Sequence, residues 1–397
     1  MMVQKNKVVI SLLMLSQACY LSAMSVDMTI TALVGSELSR NKVYATIPMA
    51  LIAILSVIVA PNIPKIATRI GLKNIFISGG FIAALGGLIS WYAITKHSFI
   101  LLCIGTSCVG AYQAIANYYR YVAADISHGK EVRNISLVLS AGVVAAIIGP
   151  ILATWTSQIL FPIYSGAYIL VGILGVCAMI INSCLPRKEV DNTIIYPTNT
   201  QNTQKQKYVS FLFLLKRPTF RSSILICLCS CFSMALIMSG APIFMKSMLH
   251  SSASQRMMGM QLHMIGMYLP VVLLPFLSKY ISLKIQILCA LTIGIAATWI
   301  SIFNVNHVTV MLTLLFIGIF WSLSYASGSA LLTKSYTADE RQSARGKGEL
   351  FPVLGLALGS LTAGPFSEYI NWSAQMFFVL MFIFLTMIMV IIDWKKI

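Results

Sequence analysis

The chain has 397 residues, of which 58% are hydrophobic and only 10% charged, against about 45–50% and about 25% in soluble domains. So few charges cannot cover a water-facing surface, which excludes a soluble enzyme, a disordered tail protein and a coiled coil. Basic residues outnumber acidic ones 28 to 11, a net charge of +17; that excess would fit nucleic acid, except that the Lys and Arg punctuate long apolar runs and do not gather on one face.

The nine cysteines, Cys19, Cys103, Cys108, Cys177, Cys184, Cys227, Cys229, Cys231 and Cys289, all fall inside apolar runs. Cys227, Cys229 and Cys231 alternate, so on a helix they diverge around its surface. Inert buried thiols are expected, not a disulfide frame or a zinc site, and no metal or other cofactor is expected. The composition is that of an integral membrane protein.

A helix needs about 20 mostly apolar residues to cross a hydrocarbon layer of ~30 Å. Twelve such runs lie at 8–33, 43–63, 74–95, 98–124, 134–156, 163–185, 220–245, 257–280, 283–303, 308–334, 346–370 and 372–393. Span 1 follows Lys5 and Lys7 as a signal peptide would, but it lacks a cleavage site and precedes eleven more spans, so its retention is expected. Of the 28 Lys and Arg, 22 fall in loops on one side and five on the other, with Arg120 left over. The positive-inside bias puts the 22, and both termini, in the cytoplasm of a multi-pass inner-membrane protein.

In chain order, span 1 carries Asp27, an acidic side chain well within an apolar run. Gln17, Tyr20, Met24, Asp27 and Thr31 recur every three or four residues and so share one helix face. A carboxyl group in low-dielectric surroundings can hold a proton near neutral pH and release it on hydration, which is what a proton-coupled carrier needs; the alternative is a wetted residue near the outer interface or a cap at a helix break. In span 4, Gln113, Asn117 and Arg120 fall at i, i+4 and i+7, a polar stripe costly against lipid, with Tyr112 and Tyr119 beside it as rings able to stack on a planar solute. Arg120 has three readings: solute contact, a gate ion pair with Asp125 or Glu349, or snorkelling to the interface. Helices 3 and 6 hold Gly79, Gly80, Gly86, Gly87, Gly166, Gly172 and Gly175, which read as close-packing faces.

A polar segment at 186–219 reads as a linker between an N-terminal six-helix half, 1–185, and a C-terminal half, 220–397. In the second half Trp321, Tyr325, Gly328 and Ser329 of span 10, and Ser230, Ser233 and Met238 of span 7, are either solute contacts or packing. His263 reads as a satisfied buried histidine. Glu349 reads as a salt-bridge partner beside Arg345 and Lys347. No nucleotide-binding loop occurs, so the chain is no ATP-driven pump by itself, and no hydrolase signature points to an enzyme.

Three landmarks repeat. Arg69 through Lys73 recurs as Lys279 through Lys284, Gly149-Pro150 as Gly364-Pro365, and Asp125 through Arg133 as Asp339-Glu340-Arg341, displaced by 210, 215 and 214 residues. A duplication is expected. Together with Arg69, Gly71 and Lys73 in the loop after span 2, and Gly142, Gly149 and Pro150 in span 5, the 6+6 repeat resembles the major facilitator superfamily along the whole chain. The loop departs from the family pattern: Pro64 stands for its Gly and Thr68 for its acid, which in the family helps to latch the cytoplasmic gate.

The resemblance implies an all-α membrane protein of twelve transmembrane helices in two pseudo-symmetric halves. It also implies a cavity lined by helices 1, 4, 7 and 10, and a secondary transporter of a small organic solute working by alternating access. The expected roles are then proton coupling at Asp27, solute contact at Gln17, Tyr20, Met24, Tyr112, Gln113, Asn117, Arg120, Trp321 and Tyr325, and gating at Arg69, Gly71, Lys73, Asp125, Arg345 and Glu349. The span 5 motif tilts towards efflux of small amphipathic compounds; the stripe of span 4 suits uptake of a polar nutrient; a non-transporting sensor is the third reading. A monomer is expected, partnered by solute, protons and lipid and not by nucleic acid.

Overall fold

The computed structural model describes residues 2–126, 131–191, 209–277, 280–337 and 339–396. Lys130, Lys279 and residues 192–208 of the 186–219 segment, with Lys205 and Lys207, lie outside the described residues. Everything regular in them is helix. In the first half, span 1 is α1 (Met2–Leu38), span 2 is α2 (Ile47–Val59) with α3 (Ile63–Ile70), span 3 is α4 (Leu72–Thr95), and span 4 is α5 (Phe99–Ala116) with α6 (Tyr119–Asp125). Spans 5 and 6 are α7 (Glu131–Ile159) and α8 (Ser165–Ser183), followed by the short α9 (Arg187–Asp191).

The second half opens with the short α10 (Phe211–Leu215), then α11 (Pro218–Ser247), α12 (Ala253–Leu277), α13 (Leu283–Phe303) and α14 (His307–Thr333) as spans 7 to 10. A brief α15 (Arg341–Gly348) leads into α16 (Leu350–Tyr369) and α17 (Trp372–Ile392), spans 11 and 12. Eleven described helical stretches are long and apolar enough to cross a membrane, and the 25-residue α12 stands where span 8 was expected. Helices α1, α7 and α11 overrun the expected spans at both ends, because hydropathy marks the hydrocarbon layer and not the last hydrogen-bonded turn, whereas α8 and α16 end within theirs.

Local chemistry sets the ends. Ser98, Ser282 and Asn371 accept from the backbone N–H three residues on at the starts of α5, α13 and α17, and Asn306 closes a full capping box with Thr309 at α14. Each cap satisfies an amide that hydrocarbon cannot.

The chain divides into two compact units, Met1–Gln201 and Asn202–Ile397. In the first, α4 and α8 meet backbone to backbone: a Cβ on Gly87 would stand 2.4 Å from the amide nitrogen of Gly172, and one on Gly80 would stand 2.8 Å from the carbonyl oxygen of Gly175. That is the close packing the glycines of spans 3 and 6 led one to expect. In the second unit α16 lies as tightly on α11, where a Cβ on Gly359 would reach the Phe232 carbonyl oxygen at 2.4 Å.

Candidate functional site

Asp27 is completely buried in the first unit. The Thr31 hydroxyl, one turn on along α1, donates to Asp27 Oδ1 at 2.8 Å and lies 3.0 Å from the Tyr168 hydroxyl of α8. With the Thr31 proton spent on Asp27, Tyr168 is the donor to Thr31. Asp27 Oδ2 is buried and has no hydrogen-bond partner, and among the described residues no Lys, Arg or His forms an ion pair with Asp27. The rest of the α1 face, Gln17, Tyr20 and Met24, is buried with it. The Tyr20 ring meets Tyr112 edge-on, centroids 5.5 Å apart.

A second polar cluster lies further along the same helices. Ser16 donates to Asn182 Oδ1 at 2.8 Å, and Asn182 Nδ2 donates to the Phe76 carbonyl at 3.0 Å and to the Tyr119 hydroxyl at 2.9 Å. Four helices, α1, α4, α6 and α8, share this node, so its satisfied bonds fix their register.

The stripe of span 4 separates into two faces. Gln113, Asn117 and Arg120 are half-buried, whereas Tyr112 and Tyr119 are fully buried. The two tyrosines therefore point into the first unit, to Tyr20 and to Phe76 and Asn182, and lie off the face of the stripe; 3.6-residue periodicity puts Tyr112 and Gln113 about 100° apart. The helix breaks between Ala116 and Tyr119, where the Asn117 amide is shared by the carbonyls of Gln113 and Ile115. Arg120 donates to the Tyr121 hydroxyl at 3.2 Å and stands over that ring. Asp125 is exposed.

In the loop after span 2, Arg69 is exposed and Gly71 ends α3 at φ +83°. Thr68 bonds only its own turn, to the Lys65 carbonyl. The acid comes from elsewhere: Asp191 of α9 accepts the Lys73 backbone N–H at 3.0 Å and pairs with Arg187 at 3.2 Å. A carboxylate at the N-terminus of α4 also meets the positive end of its dipole.

The second unit gathers acids at its own basic end. Arg217 grips Glu340 with two bonds, 2.7 and 2.8 Å, and donates to the Ser335 carbonyl. Those charge-assisted bonds, helped by the Thr337 amide, hold the Glu340 carboxyl down at about 2. Arg221 pairs with Asp393, to which Ser222 also donates. Glu349 pairs with Arg345 at 3.4 Å in the open, as expected, while Lys347 turns away to the Val209 carbonyl and Ser343. Sequence reasoning counted Arg217 and Arg221 as topological charge only. The usable signal is that acids are scarce on a side crowded with cations, which makes Glu340 and Asp393 candidates for pairing.

On α14, Trp321 and Tyr325 are half-buried and stacked, centroids 5.5 Å apart and planes 4° from parallel. The Trp321 indole donates to Cys231 Sγ of α11 at 3.3 Å. Ser230, Ser233, Met238 and Gly328 are buried. His263 is buried with Nδ1 2.8 Å from the Leu314 carbonyl. All nine cysteines are free thiols, and among the described residues no cluster of three metal-binding side chains occurs.

Comparison with known proteins bears on what this arrangement does. The chain is 26% identical to the riboflavin transporter RfnT of Brucella anthropi, over 97% of this chain and 96% of that one. Its fold is similar to those of the nucleoside transporter NupG (TM-score 0.67, 15% identity, 98% of each chain) and the human organic anion transporter MFSD10 (TM-score 0.66, 13% identity, 97% of this chain and 99% of that one). Residues 12–303 match the sequence model of the Major Facilitator Superfamily. With that match over most of its length and its helices in two compact units, the chain belongs to the Major Facilitator Superfamily, as a multi-pass membrane transporter of small organic solutes and not an enzyme.

Proposed function

We propose that the protein is a proton-coupled secondary transporter that carries a riboflavin-type nutrient inwards by alternating access. It acts as a monomer in the cytoplasmic membrane, with both termini in the cytoplasm as the Lys and Arg distribution favours. Asp27 carries the coupling. It is a buried carboxyl whose described side-chain partner is one neutral hydroxyl, and its second oxygen has no partner, so a proton arriving or leaving changes the charge of the first unit's interior without breaking an ion pair. The Asp27–Thr31–Tyr168 chain joins α1 to α8 and gives that change a mechanical route.

The solute class rests on likeness to RfnT over nearly the full length of both chains, with Gln113 and Asn117 as half-buried amides suited to a polar solute. Import is preferred to efflux because Gly149, which with Gly142 and Pro150 makes the span 5 motif behind the efflux reading, has a packing role: a Cβ there would stand 2.1 Å from Ser25 Oγ of α1.

Proteoliposomes with an inward proton gradient test this. Riboflavin is expected to accumulate inside, a protonophore to abolish accumulation, and Asp27→Asn to reduce gradient-driven flux at least tenfold while facilitated exchange persists. Undiminished driven flux in Asp27→Asn would remove Asp27 from the coupling, and riboflavin moving outward against its gradient would reverse the direction.

A further inference from the structure

Trp and Tyr concentrate at membrane interfaces, where the ring can be dry and its polar tip wet. Trp321 and Tyr325 are instead the fifteenth and nineteenth residues of the 27-residue α14, near the middle of a span. Four residues apart, they share one helix face. Their rings are almost parallel, 4°, with centroids 5.5 Å apart, wider than direct face-to-face contact and therefore an offset stack. Neither ring is fully covered.

The pair is also held at one edge. The Trp321 indole N–H, a donor with few partners at mid-membrane depth, goes to Cys231 Sγ at 3.3 Å. Cys231 is buried in α11, and its Cβ lies 3.0 Å from where a Cβ of Gly355 on α16 would stand. The sulfur thus sits where α11 meets α16, and the indole edge is tied to it. Ordinary packing would account for two aromatic rings on a helix. It does not by itself account for a parallel, partly uncovered pair at mid-span with its polar edge tied to a second helix.

We infer that Trp321 and Tyr325 form a stacking surface for a flat heteroaromatic ring, and that Cys231 is a positioning residue that sets the tilt of that surface. The inference rests on the riboflavin-type solute proposed above. Riboflavin offers a rigid, electron-poor three-ring plane to the electron-rich indole and phenol, while its hydroxylated chain needs polar contacts elsewhere. A solute with the same hydroxyls and no flat ring gains nothing from the pair, so the surface is a specificity element.

Purified full-length protein in detergent is titrated with riboflavin, following quenching of flavin fluorescence, and riboflavin uptake is measured in proteoliposomes. Trp321→Ala is expected to weaken binding by about tenfold or more, the scale of losing one stacked ring, and Trp321→Phe by less. Cys231→Ala is expected to raise KM for riboflavin about threefold with kcat unchanged, the size of one lost hydrogen bond, and Cys231→Ser, which restores an acceptor, to recover most of it. Should Trp321→Ala fail to fold, Tyr325→Leu and the two Cys231 variants carry the same test. Ring variants that bind riboflavin like the wild type would overturn the stacking surface, and Cys231→Ser no better than Cys231→Ala would overturn the positioning role. A wild-type protein that transports another solute but neither binds nor moves riboflavin would overturn the substrate reading and this inference together.

Discussion

At Gly71 the backbone φ of +83° and the space above the α-carbon make the same demand. A Cβ there would lie 2.6 Å from Asp191 Oδ2, so any side chain would push aside the carboxylate that caps α4 through the Lys73 amide. Gly71→Ala therefore carries two penalties, about 1–3 kcal/mol for a positive-φ extended backbone that is essentially reserved for glycine and the loss of the cap, about 1 kcal/mol. The thermal midpoint in detergent is expected to fall clearly, with Asp191→Ala reproducing the second part alone. Asp191→Asn, which keeps an acceptor oxygen and loses the charge that pairs with Arg187 and meets the α4 dipole, is expected to fall least; equal midpoints for the two Asp191 variants would show that the Lys73 bond contributes nothing. The sequence exposed Gly71 and the missing acid at Thr68. It could not expose Asp191, which is 118 residues from Lys73 and belongs to no local pattern. Asp27 and Thr31, four apart on one helix, were legible together, whereas Tyr168, 137 residues from Thr31, was not.

At the scale of elements, apolar runs located the spans because an aqueous backbone amide has no substitute in hydrocarbon except the helix itself. What hydropathy does not encode is rotation about the helix axis. For that reason Tyr112 and Tyr119 looked like companions of Gln113 and Asn117 and are in fact turned into the first unit. Glycines were the better guide, since they mark faces where backbones meet. Gly87 is the sharpest case: the atoms that an added Cβ would meet within 2.7 Å are backbone atoms of Gly172 and Tyr168, which have no rotamer to yield. Gly87→Val must separate α4 from α8 along their length, an overpacking cost of about 3 kcal/mol or more. Folded, monodisperse protein is expected to be lost on size-exclusion chromatography. Gly346→Val, on α15 where an added Cβ meets nothing within 4 Å, is the control and should purify normally; a well-behaved Gly87→Val would mean that the two helices are not held at this spacing.

At the scale of the whole chain, 28 basic residues set against 11 acidic ones make self-repulsion at the basic ends a standing cost, and Asp191, Glu340 and Asp393 relieve it locally. Glu340 gives this a pH signature. Its carboxyl is held at about 2, well below its ordinary 4.5, chiefly by the two bonds from Arg217. A folded-state value below the unfolded one means that folding releases protons in this range. The stabilisation is thus complete above the unfolded value and drains away as pH falls towards the folded one. Wild-type protein should accordingly lose stability between about pH 4.5 and 2 through this pair. Glu340→Gln, which cannot grip Arg217 as an anion, should melt lower at neutral pH and lack that part of the acid-induced loss. The gap between the two melting curves is expected to be constant down to about pH 5 and to narrow below it. A gap that stayed constant to pH 3 would show that Glu340 contributes shape alone, and that the tie from Arg217 to the loop between α14 and α15 does not depend on charge.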